Sequence, residues 1–236
     1  MMNKIIVTIP AGGRGERLRP ITDYIPKPMI PFGNNEKPVL EHIIEWIKKF
    51  RINDFVLLVG YKHRQIMNYF RDGDRWGINI KYSIDDAKYK GTGGSLLKAY
   101  LNGLFEKFDY VLVWYGDIVA DVNIWDLINL HKEKEAEFTI VAVKNYRLPV
   151  GLIEVKNDNK IIKVEEKPIL NKFVGIGIIL FSYNVLSYLK ELNKTTFDLA
   201  KDFIPFLLRK NIKGYIYQHN GWWIDVGEGL KHYYRG

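Results

Sequence analysis

No cysteine occurs in the 236 residues, which excludes disulfides and thiolate metal centres and leaves oxygen or histidine to hold any metal. Histidine is scarce too: His42, His63, His131, His219 and His232 show no metal-ligand spacing and read as surface or packing residues. No apolar run approaches the roughly 20 residues that span a bilayer, and the first residues lack the charged-then-apolar pattern of a signal peptide. The expectation is a soluble, cytoplasmic protein with no membrane partner. Also missing are a basic arm, a zinc finger and a tight Lys/Arg block. The 35 Lys and Arg are scattered among 27 Asp and Glu. The net charge of +8 therefore points to small anions, nucleotides and sugar phosphates, and no nucleic-acid partner is expected. Homo-oligomerisation is left open by these features.

The chain does have a hydrophobic content of 47% against 26% charged residues, ordinary material for one globular core. From residue 4 to residue 143 apolar strands alternate with helical stretches. Ile5 to Ile9, Phe55 to Val59 and Tyr110 to Tyr115 are continuous apolar runs, Ile78, Ile80 and Tyr82 alternate, and Phe138 to Val143 closes the series. Between them, Val39 to Phe50, His63 to Arg71, Gly93 to Phe105 and Trp125 to Glu135 read as helices. Such alternation predicts an α/β fold, a Rossmann-like three-layer sandwich around a mostly parallel mixed sheet. Beyond Leu148 the strands become shorter and turn-linked (Gly151 to Val155, Ile161 to Val164, Val174 to Phe181, Gly214 to Gln218), with helices near 184–191 and 197–210. No Pro/Gly/Ser linker separates the two textures, so residues 1–236 read as a single domain.

The most informative stretch is PAGGRGERLRPITDYIPKP, from Pro10 to Pro28. Gly12, Gly13 and Gly15 let a backbone approach a bulky anion, and Arg14, Arg17, Arg19 and Lys27 bring charge for phosphate. The loop follows a buried strand, at the carboxyl end where open α/β sheets place ligands. It is neither a dinucleotide fingerprint, since Leu18 stands where glycine or alanine is needed, nor a Walker A loop, since Gly-Lys-Ser/Thr is absent. Taken alone it is equally compatible with a surface loop of solvated cations. Pro26 and Pro28 predict that Lys27 is presented from a stiff, extended, non-helical segment. Asp117 ends an apolar strand, either as a simple turn or to meet a cation, and Asp225 follows Trp222 and Trp223 at the edge of an apolar surface. Gly91 to Gly94 reads as a ligand-facing loop or as a flexible cap on the next helix, and Glu165-Glu166-Lys167 as a binding segment or an exposed strand end.

AGGRGERLRPIT followed by PKP resembles the signature of the sugar-1-phosphate nucleotidyltransferases, the nucleotide-sugar pyrophosphorylases, whose pattern is close to G-G-x-G-T-R-L-x-P-x-T and then P-K-P. Gly91-Thr92-Gly93-Gly94-Ser95-Leu96, Gly116-Asp117, Gly151, Glu166-Lys167-Pro168 and Trp223-Ile224-Asp225-Val226-Gly227 follow in the family's order. The resemblance implies the nucleotide-diphospho-sugar transferase type of fold, with a nucleotide-binding half over about residues 1–145 and a sugar-binding half over about 146–236. It implies transfer of a nucleoside monophosphate from an NTP to a sugar-1-phosphate with release of pyrophosphate. Arg17, Lys27 and Asp117 take the catalytic roles in this reading, and Asp117 and Asp225 hold Mg²⁺, a cation that accepts few carboxylates and shares its remaining positions with phosphate and water. Ala11, Gly12, Gly13, Gly15, Arg17, Gly91, Thr92, Gly93 and Gly94 would contact the nucleotide, and Lys27, Gly151, Glu166, Lys167 and Gly175 the sugar phosphate.

Four positions depart from the family pattern: Pro10 for leucine, Glu16 for threonine, Ile118 for asparagine and Gly175 for a sugar-contacting asparagine. A solvent-facing Glu16 would be harmless to a triphosphate. Phe70 to Gly77 and the Gly-Thr-Gly-Gly-Ser loop look most like the mannose-1-phosphate and heptose-1-phosphate guanylyltransferases, which makes GTP and mannose-1-phosphate the expected substrates. A dTTP- or UTP-dependent glucose-1-phosphate enzyme and a catalytically silent nucleotide-sugar-binding relative are the alternatives. The chain stops soon after Asp225, so the left-handed β-helix of longer relatives, with its acetyltransfer and trimerisation, is not expected.

Overall fold

A strand that is apolar at every position needs cover on both faces, and the buried runs of this chain receive it. A computed structural model describes residues 4–228; His232, read above as a surface or packing residue, lies outside them. Seven strands form the central sheet: β1 (Ile5–Pro10), β2 (Asp54–Val59), β3 (Asn79–Ile84), β4 (Tyr110–Trp114), β5 (Phe138–Val143), β6 (Val174–Ser182) and β7 (Gly214–Gln218). Their order across the sheet is β7-β5-β6-β4-β1-β2-β3. β1 pairs in parallel with β2 and β4, β2 with β3, and β7 with β5. β6 alone runs antiparallel, wedged between β4 and β5. The fold is therefore the mostly parallel mixed sheet of an α/β protein.

Alternate residues of the inner strands enter opposite cores, as the period of two requires. Ile5, Val7 and Ile9 of β1 and Leu112 and Trp114 of β4 face one layer, with the apolar stripes of α1 (Val39–Lys48), α2 (His63–Phe70) and α4 (Ile124–Glu133). Ile6, Val111 and Val113 face the other, with Leu96, Leu97 and Ala99 of α3 (Gly91–Leu101), Leu189 of α5 (Tyr188–Glu191) and Leu207 of α6 (Ile204–Arg209). Each such side chain taken fully out of water stabilises the sandwich by about 1.5–3 kcal/mol.

The chain first builds outward from β1 through β2 to β3, then crosses back to place β4 on the other side of β1. This reversal opens a crevice at the carboxyl ends of β1 and β4, the position where doubly wound sheets take ligands. The second half extends the sheet by β6 and β7. It also carries the hairpin of Leu152–Val155 and Ile161–Glu165, which is exposed along its whole length.

Lys27 is one local expectation that the backbone corrects. Lys27–Met29 forms a single 3₁₀ turn with Pro28 inside it. Proline is tolerated there because the first turn of a helix has no intrahelical partner for its N–H.

Candidate active site

The loop after β1 is held open by a few specific bonds. Ala11 donates its N–H to the Leu58 carbonyl at 2.7 Å, and Tyr61 donates to the Gly12 carbonyl at 3.0 Å. Gly15 has φ +63°, a left-handed conformation where a Cβ would meet Thr22 Cγ2 at 2.9 Å. The Thr22 hydroxyl closes the turn onto the Gly15 carbonyl at 2.9 Å, and buried Leu18 anchors it. Arg14 and Arg17 remain exposed and form no ion pair among the described residues. Glu16 points to solvent, 4.0 Å from Arg19, so the departure from threonine leaves no buried carboxylate beside the loop.

Two carboxylates distant in sequence reach this loop through a short ribbon. Trp223–Asp225 pairs antiparallel with Ile118–Ala120, with Asp225 opposite Ile118, and Val226 donates its N–H to the Asp117 carbonyl at 3.0 Å. Gly116 ties the other side by donating to the Pro10 carbonyl at 3.1 Å. The Lys27 ammonium forms a short ion pair with Asp117 and lies 3.8 Å from Asp225 Oδ1. Lys27 is only 12% exposed, and the two aspartates 25% and 23%. Asp225 Oδ1 also accepts the Gly227 N–H at 2.6 Å, and a Cβ at Gly227 would come within 2.7 Å of that oxygen. Two hard carboxylates converging on one cationic point are a donor set that fits Mg²⁺, which takes one or two carboxylates and leaves the other positions to phosphate and water.

These residues line a cleft of about 650 Å³ that contains Ala11, Gly12, Gly13, Gly15, Arg17, Lys27, Gly91, Thr92 and Asp117. Gly93 and Gly94 are placed elsewhere. Both are buried in α3, both donate to the Phe197 carbonyl, and a Cβ at Gly93 would meet the Phe197 ring, with Cζ 3.0 Å away. Their lack of a side chain admits the 195–197 strand of chain to the helix. Thr92 joins the same contact, donating to Asp198 Oδ2 at 2.8 Å.

Sequence reasoning missed three side chains in the cleft. The Tyr115 hydroxyl is buried beside Thr92, and desolvation pushes its pKa up to about 12, partly opposed by Thr92. Asp85 and Ser95 face the glycine loop, joined by a bond from Ser95 Oγ to Asp85 Oδ1 at 2.6 Å. Burial raises the Asp85 pKa, partly opposed by the Ser95 bond and the field of Lys98. The signal available in the sequence was an acidic pair, Asp85-Asp86, directly after an alternating strand.

A second cleft of about 550 Å³ adjoins the carboxylates, lined by Val143 to Arg147, His219 to Gly221 and Trp223 to Asp225. Tyr146 and Trp223 form an aromatic wall with ring centroids 6.1 Å apart, and His219 lies 3.0 Å from Asp121. Glu166 sits beside Gly151, with its Oε2 2.9 Å from where a Gly151 Cβ would be, and exposed Lys167 follows at φ +48°. Leu148 donates to the Pro168 carbonyl at 2.9 Å, which places this turn next to the second cleft's Arg147. Gly175 lies on β6 opposite Ala142. Among the described residues, Gly151, Glu166, Lys167 and Gly175 line neither of the two clefts.

Known proteins share this arrangement of sheet and loops. The chain is 31% identical over 238 residues to the UTP–glucose-1-phosphate uridylyltransferase of Synechocystis sp., covering 92% of this chain and 59% of that protein. A glucose-1-phosphate adenylyltransferase of Clostridium acetobutylicum is 29% identical over 244 residues, 95% of this chain and 64% of the relative. The chain thus spans about three fifths of the length of these two relatives. A crystal structure of a putative glucose-1-phosphate thymidylyltransferase from Bacillus anthracis superposes with a TM-score of 0.71 at 25% identity, over 94% of this chain and 90% of that one. HddC from Yersinia pseudotuberculosis, solved with GMP-PN, shares the fold at a TM-score of 0.71 and 20% identity, over 96% of this chain and 94% of that one. Residues 6–235 match the family described as nucleotidyl transferase, and the chain belongs to that family.

Proposed function

We propose that this protein transfers a nucleoside monophosphate from an NTP to a sugar-1-phosphate, releasing pyrophosphate. The observation that carries this reading is the convergence of Lys27, Asp117 and Asp225 beneath the Gly12–Arg17 loop, at the reversal point of the sheet. An oxygen of the sugar phosphate forms a bond to the α-phosphorus while the bond from that phosphorus to the β-phosphate oxygen breaks. The nucleophile is already an anion, so no side chain needs to remove a proton, and catalysis consists of positioning and charge stabilisation. Exposed Arg17 neutralises the departing pyrophosphate. Lys27, half in the cleft and half between the carboxylates, draws the incoming phosphate to the α-phosphorus. Asp117 and Asp225 hold Mg²⁺, which supplies charge neutralisation to the triphosphate when bound.

The second cleft receives the sugar in this reading. Its Tyr146–Trp223 wall offers an apolar face for a pyranose ring, Lys144 and Arg147 add positive charge, and Asp225 is common to the carboxylate pair and the cleft. Glu166, Lys167, Gly151 and Gly175 are proposed sugar-phosphate contacts on the strength of the family pattern. GTP with mannose-1-phosphate is the proposed pair, supported by the likeness of Phe70 to Gly77 and Gly91 to Ser95 to the guanylyltransferase branch. The relatives named for UTP, adenylyl and thymidylyl transfer to glucose-1-phosphate make those pairs the second reading.

The test is Mg²⁺-dependent pyrophosphate release over a grid of five NTPs and several sugar-1-phosphates. Turnover is expected in the wild type and lost in Asp117→Asn and Asp225→Asn proteins that keep their fold. Wild-type rates in both variants would remove the metal assignment, and tight nucleotide-sugar binding without turnover in any combination would favour a silent sensor.

A further inference from the structure

Asp225 reaches the site on a strand that lies outside the central sheet. Among the described residues Trp223–Asp225 pairs with Ile118–Ala120 alone, three residues against three, and two short strands by themselves are marginal in water. The Val226 N–H bond to Asp117 ties the far end of this ribbon, and a junction ties its near end. His219 is the first residue past β7, and its N–H still bonds the Ala142 carbonyl of β5 at 2.8 Å. Three residues on, the Trp222 carbonyl accepts twice, from the Asp121 N–H at 3.2 Å and from His219 Nε2 at 3.2 Å. The end of the central sheet, the end of the strand that follows Asp117 and the start of the strand that carries Asp225 thus meet at one oxygen.

The surroundings of that oxygen are specific to a histidine. The His219 ring is buried, and Asp121 Oδ1, shut away from solvent with no hydrogen bond of its own, lies 3.0 Å from the same Nε2. Both oxygens beside Nε2 are acceptors, so this nitrogen carries the proton. A buried carboxylate oxygen without a hydrogen bond is costly, and the imidazole N–H beside it offsets that cost. Gly221 leaves room for the contact: a Cβ there would collide with Asp121 Oδ1 and come within 2.7 Å of His219 Cε1. A histidine bonded to a carbonyl three residues on could serve its own turn alone, but the Asp121 N–H on the same oxygen makes the bond a link between strands. We propose that His219 is a positioning residue for the transfer reaction: by holding the Trp222 carbonyl against Asp121 it fixes where Trp223–Asp225 docks, and so where the Asp225 carboxylate stands relative to Lys27 and Asp117. This rests on the carboxylate pair acting as proposed above.

The test compares His219→Leu, which keeps bulk and removes the donor, with His219→Gln, whose amide can donate to the same carbonyl. Trp222 keeps the Asp121 N–H in both, so its carbonyl is not orphaned. A double-mutant cycle with Lys27→Met, followed in urea, reads position without turnover. Lys27→Met should lower the urea midpoint by less in the His219→Leu background than in the wild type, because the lysine has already lost part of its partner, and by the full amount in His219→Gln. In the pyrophosphate assay His219→Leu should raise the half-saturating Mg²⁺ concentration about 10- to 100-fold and slow turnover about 10- to 100-fold, and His219→Gln should recover most of both. Where the leucine variant does not fold, His219→Phe, which keeps a ring without the donor, is read in the same way. The inference is overturned if the cycle is additive, or if His219→Gln is as impaired as His219→Leu. It is equally overturned if His219→Leu raises the KM for sugar-1-phosphate and leaves the Mg²⁺ response unchanged, since His219 would then be a direct contact of the second cleft. Coupling in the cycle without pyrophosphate release by the wild type would sink the transferase reading and leave the docking role of His219 standing; release with an additive cycle would do the reverse.

Discussion

Replacing Lys27 by methionine tests the central arrangement without relying on activity. The variant keeps the aliphatic stem but leaves Asp117 and Asp225 facing each other without the ammonium that now joins them. At the 3.8 Å separation from Asp225, the Coulomb attraction is about 4 kcal/mol at an effective dielectric of about 20. Desolvation of groups that are 12–25% exposed cancels part of this, so the expected loss is about 1–3 kcal/mol, between the cost of breaking an exposed pair and a buried one. For a chain of this size that is a fall in Tm of roughly 3–9 °C. If the pair holds Mg²⁺ as proposed, the ion competes with the ammonium for the same oxygens in the wild type and no longer does so in Lys27→Met. Thermal melts over a Mg²⁺ series should therefore show a larger upward shift in the variant, with about 2.7 kcal/mol recovered at a hundred times the dissociation constant. Turnover should fall about 100-fold or more, because the incoming phosphate loses its cation. An unchanged Tm and an identical Mg²⁺ response in the two proteins would refute the claim that one lysine and one divalent cation share this pair.

Gly227→Ala places a carbon 2.7 Å from Asp225 Oδ1 and 3.1 Å from Lys27 Cε, and pyrophosphate release should fall about 10- to 100-fold, since displacements of this order misalign reacting groups; a wild-type rate would show that the pair tolerates displacement. Gly93→Ala drives a methyl into the Phe197 ring, so chemical denaturation should register a loss of about 1–3 kcal/mol while triphosphate binding to the folded fraction stays as in the wild type; weaker binding at unchanged stability would return Gly93 to the ligand. His131 is buried between Thr139 Oγ1 at 2.8 Å and Ser182 Oγ at 2.9 Å, and burial lowers its pKa from 6.5 to about 4. The unfolded chain then binds the extra proton first, so this contribution is complete above pH 6.5 and is lost as pH falls towards 4, by up to about 3 kcal/mol. Urea midpoints should decline over that window, and His131→Gln should decline less; equal slopes would refute the assignment.

The continuous apolar runs of β1, β2 and β4 were legible because burial on both faces leaves no polar alternation. The turn at Gly15 was legible because glycine acts locally, whereas the prolines misled, since Pro28 fits inside the 3₁₀ turn that begins at Lys27. The insertion of β6 between β4 and β5 was not, since pairing with two strands far apart in sequence depends on contacts that no local pattern encodes. The same holds for Gly93 and Gly94: a glycine that admits a neighbouring strand looks in sequence like one that admits a ligand, and only the position of Phe197 separates them. Asp117 and Asp225 stood out as acids at apolar edges, but the ribbon that joins them is made by backbone pairing. Asp85 was hidden because an acid after a strand reads as a solvated turn, and only the fold sets it against Gly12 and Gly60.

That ribbon also sets an order of events during synthesis. Asp117 is made well before Asp225, and the strand that carries Asp225 has nothing to pair with until Ile118–Ala120 is in place. A nascent chain whose first strands have already folded on the ribosome thus holds a single carboxylate beside Lys27, satisfied by that lysine alone. The pair of carboxylates is completed only as Trp223–Asp225 is made and docks on Ile118–Ala120, so the second acid joins Lys27 in one late step.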